Sequence, residues 1–402
     1  MKGLRKATLA ALLAASLAAV AIVASSATAA TQPIVIGYAF DSKGAMAPFD
    51  GPALAAAQLR VKQWNAKGGV GGRPLRIVTC DTQGNKPATA KSCAARLLGR
   101  GANVIFTTCD VDLAAPVVQE AINRGTLAVA PCIGTDQMGP KRFGAKGRLA
   151  FSFGNVAQDE GSAMAEYAWK RGWKTASLAT DTVIVYFRNV VQAFEARFKQ
   201  LGGTIATKET YQSLGGNPAS WQSVATRLNG EDADVIVTST APPFGAQVPI
   251  MSNLRTLGNN TPILNSWAGD GSYWYTPDPK ISNYYYVTFA SAFGDDPVKA
   301  VNTLRKRYAG AIAKGGSTGA FVTGWSAIDG IALALRRTGG NKSGKALAAQ
   351  MEKFKNVQTL SGLVTFSKNL HTVFGRQYRV IRVQNNTPRV VGTIKAKVVP
   401  KI

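Results

Sequence analysis

The stretch WNAKGGVGGRP, Trp64 to Pro74, packs Gly68, Gly69, Gly71 and Gly72 around a single valine and has the glycine density of a phosphate-binding loop. A phosphate loop leads from a strand into a helix, so that helix-end N–H groups face the anion, and it closes on Gly-Lys-Ser/Thr. Here the order is reversed. The helical pattern PALAAAQLRVKQWNA (52–66) comes first and the strand-like LRIVTCD (75–81) follows, with Arg73-Pro74 after the last glycine. The glycines therefore end a helix and turn the chain into a strand, which removes the nucleotide reading. Asp50 is a candidate N-cap of that helix, and Pro52 falls in its first turn.

Working outward, IVIGYAF (34–40) reads as a strand, PATAKSCAARLLGR (87–100) as a helix, NVIFTTC (103–109) and TLAVAPC (126–132) as strands, and LAAPVVQEAINR (113–124) as the helix between them. This alternation is the signature of an open parallel sheet. The pattern then restarts. TASLATD (175–181), GTIATKETY (203–211), ADVIVTST (233–240) and PILNSW (262–267) read as strands among helices at 189–202 and 218–229. Helices near 297–314 and 318–337 follow, and the end is strand-rich with a polar turn at Asn385-Asn386. The fold class is α/β: two Rossmann-like units in tandem. No low-complexity linker parts them, which fits two lobes joined by several crossing segments.

The N-terminus places Lys2, Arg5 and Lys6 before an apolar run from Leu9 to Val23, then Ala27-Thr28-Ala29. That order predicts a secretory signal peptide over residues 1–30, cleaved near Ala29 or Ala30, without the cysteine of a lipid anchor. No later segment is read as apolar enough to cross a membrane. The formal net charge is +25, but Lys and Arg are scattered singly and do not interleave with aromatics, so a solvated basic surface is expected and no nucleic-acid partner.

IVIGYAF, the helix–NAKGGVGGRPLRIV unit, NVIFTTCD, GRLAFSFGNVAQDEGSAMAEYA (147–168) and the C-terminal GLVTFSKNLHTVFGRQYRVIRVQ together resemble the leucine/isoleucine/valine-binding protein family of periplasmic solute-binding proteins, the type I binding proteins of ABC importers. The resemblance implies two Rossmann-like lobes with parallel-sheet cores, a three-segment hinge, and a solute held between the lobes. It assigns residues 31–152 plus 285–355 to the first lobe and 153–284 plus 356–402 to the second. Ligands of open α/β sheets sit beyond the carboxyl ends of the strands, which independently favours such a cleft.

The resemblance also nominates ligand-binding residues. Asp110 follows NVIFTTC where the family often has a hydroxyl that holds a ligand carboxylate; it either caps the helix at 113–124 or prefers a ligand group that donates hydrogen bonds. Gly134 and Thr135 follow TLAVAPC at a family contact site, although Gly134 also suits a tight backbone turn. Tyr186 resembles the tyrosine that stacks on the ligand from the second lobe, or else is a core aromatic. Ala241-Pro242-Pro243 stands where the family often offers another aromatic. Asp270 resembles the acidic partner of a ligand ammonium group, and as a turn residue before Gly271 it is expected to be dispensable for folding. Tyr273, Trp274 and Tyr275 are either cleft-rim residues or loop anchors.

The cysteines are Cys80, Cys93, Cys109 and Cys132, an even set in an exported chain, with no C-x-x-C. In a sheet of order 2-1-3-4-5 the third and fourth strands are neighbours, so Cys109–Cys132 and Cys80–Cys93 are the expected bridges, and Cys80–Cys109 is the harder reach. His371 is the single histidine, which disfavours a catalytic triad, and no metal loop appears, so neither catalysis nor a cofactor or metal is expected. The expected function is capture of a small polar solute, an amino acid or a relative, by a periplasmic monomer that delivers it to ABC permease subunits. The alternative is a ligand sensor of the same fold that signals to a membrane receptor.

Overall fold

The computed structural model describes residues 32–312 and 316–402; the expected signal peptide lies outside them. The chain begins with β1 (Ile34–Phe40), α1 (Ala47–Asn65), β2 (Leu75–Asp81), α2 (Pro87–Gly99), β3 (Val104–Phe106), α3 (Val111–Asn123), β4 (Leu127–Ala130), the short α4 (Pro140–Phe143) and β5 (Ala150–Asn155). Next come α5 (Ala157–Lys170), β6 (Thr175–Asp181), α6 (Val185–Gln200), β7 (Thr204–Tyr211), α7 (Pro218–Asn229), β8 (Val235–Ser239), α8 (Gln247–Thr256), β9 (Ile263–Asn265) and β10 (Tyr284–Thr288). The remainder is α9 (Lys299–Arg307), α10 (Ala309–Ile312), α11 (Thr318–Arg337), α12 (Gly344–Met351), β11 (Val357–Thr359), β12 (Gly362–Val364), β13 (Thr372–Val373), β14 (Tyr378–Gln384) and β15 (Thr387–Ile394).

Two sheets organise these elements. The first runs β13-β5-β4-β3-β1-β2 and the second β15-β14-β10-β9-β8-β6-β7. The first is parallel throughout, so its central strands are buried on both faces and read as continuous apolar runs such as Val104-Ile105-Phe106. In the second, β14 and β15 add an antiparallel edge closed at Asn385 and Asn386, whose φ of 49° and 60° give the left-handed pair a tight hairpin needs. The glycine-rich stretch behaves as expected. Gly68, Gly69, Gly71 and Gly72 all have positive φ, and a Cβ on Gly69 would lie 2.0 Å from the Arg73 carbonyl oxygen.

The chain passes between lobes three times: from β5 to α5, between β10 and α11, and from β13 to β14. The lobe boundaries differ from those read in the sequence. Segment 285–355 was assigned to the first lobe, yet nearly all of β10 falls within it and β10 pairs with β9 and β14 in the second sheet. Segment 356–402 was assigned to the second lobe, yet β13 pairs with β5, and Val364, Phe366 and Val373 join the first lobe's core. An apolar strand can serve either sheet, so the pattern alone does not set where the chain crosses.

Two local expectations also change. α1 starts at Ala47, not after Asp50; Asp50 lies inside the first turn, fully buried, and accepts from the Asp41 N–H at 2.9 Å and the Cys109 N–H at 3.0 Å. By length and composition α11 is apolar enough to cross a membrane, contrary to the sequence reading, but 89% of its apolar window is buried inside the protein. It packs against α1 and supplies the first lobe's core with Ile328, Ile331 and Leu335.

Candidate ligand-binding cleft

The two sheets present the carboxyl ends of their central strands to one another. From the first lobe, the turn after β3 supplies Cys109 and Asp110, and the start of α1 supplies Met46 and Phe49. From the second, the N-cap and start of α6 supply Ile184, Tyr186 and Phe187, the turn after β8 supplies Ala241 and Phe244, and the turn after β9 supplies Trp267 and Ala268. These residues line one cavity of about 20 Å³, close to the volume a single water needs. The lobes are thus closed on each other.

Aromatic rings dominate the walls. Trp267 meets Phe49 of the other lobe edge-to-face at 5.3 Å, stacks on Phe289 at 5.2 Å, and meets Tyr186 edge-on at 6.4 Å. Such pairs contribute about 0.5–1.5 kcal/mol each beyond burial. The Phe49–Trp267 pair also makes closure itself favourable. Phe244 packs against Phe187 at 5.6 Å. It provides the aromatic that the sequence lacks at Ala241, because the Pro242–Phe244 turn brings a ring three residues further on to the same wall.

The expected residues fall into three groups. Asp110 and Tyr186 line the cavity. Asp110 is the N-cap of α3: its Oδ1 accepts the N–H groups of Asp112 at 2.9 Å and Leu113 at 3.1 Å. It is 3% exposed, and burial, reinforced by Asp112, pushes its carboxyl up to about 7. Tyr186 donates from its hydroxyl to both oxygens of Glu160, at 2.9 and 3.0 Å. Gly134 touches the cleft indirectly. A Cβ there would sit 2.6 Å from the Tyr186 ring, so the glycine of one lobe makes room for the tyrosine of the other.

Thr135 and Asp270 are not among the residues that line the cavity. The Thr135 carbonyl accepts from the Thr372 hydroxyl at 2.7 Å, and the Thr135 hydroxyl accepts from the Gln137 N–H at 3.3 Å. Asp270 Oδ2 accepts from the Thr288 hydroxyl at 2.9 Å, the Ser317 hydroxyl at 2.9 Å and the Gly319 N–H at 2.7 Å. Ser317 and Gly319 open α11 of the first lobe, so Asp270 ties the second lobe to a helix N-terminus across the cleft. Burial raises its carboxyl to about 6, against the lowering effect of those donors, and Oδ1 is buried without a partner. Tyr273, Trp274 and Tyr275 pack into the outer core of the second lobe, with Trp274 edge-on to Tyr284 at 5.1 Å; they anchor the loop.

Sequence reasoning missed Met46, Phe49, Phe244, Trp267 and Glu160. Trp267 was read as the end of a strand, but β9 stops at Asn265 and leaves Trp267 in the turn beyond it. Glu160 sits fully buried near the start of α5 and accepts from the Trp267 N–H at 2.6 Å as well as from Tyr186. Its carboxyl is pushed up to about 8 by burial, against those hydrogen bonds. It thereby holds two cavity-lining residues from separate elements, the start of α6 and the turn after β9. Behind it, Arg376 lies over Phe289 at 4.8 Å and donates to the Phe153 carbonyl at 3.0 Å, beside Asp159.

The bridges are Cys80–Cys93 and Cys109–Cys132, with Cα separations of 5.5 and 4.8 Å, as the strand order required. The second joins the turns after β3 and β4 at the floor of the cleft. Among the described residues, no group of three His, Cys, Asp or Glu is placed to hold a metal ion.

Comparison with known proteins agrees with this architecture. The Leu/Ile/Val-binding protein homolog 3 of Brucella melitensis is 23% identical over 351 residues, spanning 85% of this chain and 89% of that protein. The branched-chain amino acid transporter substrate-binding protein LivJ of Streptococcus pneumoniae, solved with isoleucine, superposes with a TM-score of 0.75 at 21% identity, covering 90% of this chain and 99% of that one. A solute-binding protein of an ABC transporter from Rhodopseudomonas palustris, solved with benzoate, gives a TM-score of 0.73 at 19% identity, covering 92% and 98%. The periplasmic binding protein family matches residues 33–388. With two parallel-sheet lobes facing one another across a three-segment hinge, the chain belongs to the type I periplasmic binding proteins, a family of ligand binders that are not enzymes.

Proposed function

We propose that this chain is the solute-capturing component of an ABC-type importer, exported from the cytoplasm, which traps a small solute of amino-acid size between its lobes and delivers it to membrane permease subunits. The observation that carries this reading is convergence. Five turns and helix starts from both lobes bring Met46, Phe49, Asp110, Tyr186, Phe244 and Trp267 to one cavity beyond the strand ends, where open α/β sheets bind ligands. Two structural relatives, solved with isoleucine and with benzoate, support a solute of that size. In this reading the solute enters as the lobes part and is held between these walls as the lobes come back together around it.

A thermal-shift screen of the exported protein against amino acids, amides, amines, small carboxylates and aromatic acids tests the reading. A solute at about 100 times its Kd raises stability by about 2.7 kcal/mol. It also lowers the radius of gyration wherever it favours closure. A screen in which no small solute moves the melting point removes the reading's support.

A further inference from the structure

The chemistry of Asp110 bears on which solute the cleft accepts, taking the cleft as the solute site as proposed above. α3 is 13 residues long, and its N-cap, Asp110, lines the cavity. A helix N-terminus in that position would ordinarily offer those groups to an anion from outside. Here the anion is built in. Both the Asp112 and Leu113 N–H groups donate to Asp110 Oδ1. A solute carboxylate in the same place would find the donors taken and a second carboxyl group at contact distance, so that two negative charges could not be held there together.

The other carboxylate oxygen, Oδ2, accepts no hydrogen bond from a described residue, although Asp110 is 97% buried by its 3% exposure and forms part of the cavity wall. Asp110 shares that wall with the rings of Phe49, Tyr186 and Trp267. Among the described residues, no Lys, Arg or His lines that cavity. Arg142 is engaged with Asp112 at 2.5 Å, and Arg376 is separated from the cavity by Phe289 and then Trp267. A positive group beside Asp110 would gain a charge-assisted hydrogen bond and the faces of aromatic rings at once. Burial makes the Asp110 carboxylate a poor ion when the protein alone surrounds it, and a cationic solute supplies the partner it lacks.

We propose that Asp110 is the specificity-determining residue of the cleft and that the solute is a small organic amine, protonated and apolar-bodied, carrying no free carboxylate. The experiment compares matched pairs by isothermal titration and melting shift on the full exported chain: isoleucine against 2-methylbutylamine, leucine against 3-methylbutylamine, and benzoate against benzylamine. The amine of at least one pair is expected to bind at least tenfold tighter than its acid-bearing partner. In D110S and D110N, which keep a capping side chain, that preference is expected to fall at least tenfold, with D110N guarding against a folding defect in D110S. Tighter binding of isoleucine, leucine or benzoate than of the matched amine overturns the inference and leaves solute capture standing. An amine preference that survives in both variants also overturns it. Binding of neither series overturns both the inference and capture of a solute of this size.

Discussion

The backbone N–H of Val185, at the start of a second-lobe helix, donates to Oδ2 of Asp112 in the first lobe at 2.8 Å. Asp270 and Gly319 make the mirror arrangement at 2.7 Å, with the carboxylate on the second lobe and the helix start on the first. Each lobe thus caps a helix of the other. A hydrogen bond to a charged group is worth about 1.5–3 kcal/mol, and both bonds exist only while the lobes are closed. Closure is therefore held by polar latches outside the cavity as well as by the Phe49–Trp267 contact inside it.

Removing the first latch shifts the resting conformation without touching the cavity wall. Asp112 is partly exposed and shared with Arg142, so Asp112→Ala is expected to cost closure about 1 kcal/mol, a fivefold weaker Kd. Small-angle scattering of the solute-free protein should show a larger radius of gyration. An unaltered scattering profile and Kd would show that this bond plays no part in closure.

Asp270→Ala is expected to do more than weaken binding. Its Oδ2 serves three donors, and deleting it strands Thr288, Ser317 and the Gly319 N–H in a buried setting, at about 3 kcal/mol of unfolding free energy. Urea unfolding measures this. A loss below about 1 kcal/mol would return Asp270 to the dispensable turn role suggested by its sequence context.

Gly134→Ala tests closure sterically. The added methyl would lie 2.6 Å from the Tyr186 ring across the cleft and 3.1 Å from the Asn155 carbonyl oxygen. An off-rotamer or displaced tyrosine costs about 1–3 kcal/mol, so affinity should drop by about tenfold while each lobe stays folded. Titration calorimetry with any bound solute reads the effect, and wild-type affinity in the variant would mean that Tyr186 shifts freely.

Stability should fall as the medium turns from mildly acidic to mildly basic. Asp50 and Asp110 titrate near 7, Glu160 near 8 and Asp270 near 6, each raised first by burial. Around Asp110, Asp112 adds to the rise and Arg142 opposes it; around Glu160, Asp159 adds and Arg376 opposes. The folded protein therefore holds protons that the unfolded chain releases near 4. That stabilisation is complete below about pH 4 and is lost as pH rises through about 6 to 8. Asp81, Glu195 and Asp234 are lowered and act the opposite way in acid. A melting temperature higher at pH 5 than at pH 8 is expected, and a flat or inverted profile would mean that these carboxyls are solvated.

Much of this was legible in the sequence. Reversed helix–glycine–strand order fixed the meaning of residues 64–74, and strand order alone brought Cys109 to Cys132. Asp110 and Tyr186 were nominated by the family resemblance, and both follow the carboxyl ends of their strands, β3 and β6. Trp267 obeys the same rule and was hidden by a two-residue error in where β9 stops, while Phe244 lies three residues beyond Ala241, where an aromatic was sought. Glu160 left no signal, since an acidic residue at a helix start ordinarily faces water, and only the three-dimensional meeting of α5 with the start of α6 and the turn after β9 buries it. Asp270 and Thr135 lay in suitable turns, but which way a turn residue points is settled by its hydrogen-bonding partners far along the chain.

The interleaving of the lobes has a consequence for synthesis and for engineering. The first sheet takes its edge strand from residues 372–373 and its core helix from 318–337, while the second is finished by residues 378–394. A nascent chain halted at residue 355 lacks an edge of both sheets, so neither half is a continuous foldable piece, and amino-terminal domains cannot complete their folding first in the usual way. Native structure has to form as a late, single event after nearly all of the polypeptide is available. Splitting this protein into two independently produced fragments at any one peptide bond would leave at least one fragment carrying strands of both sheets.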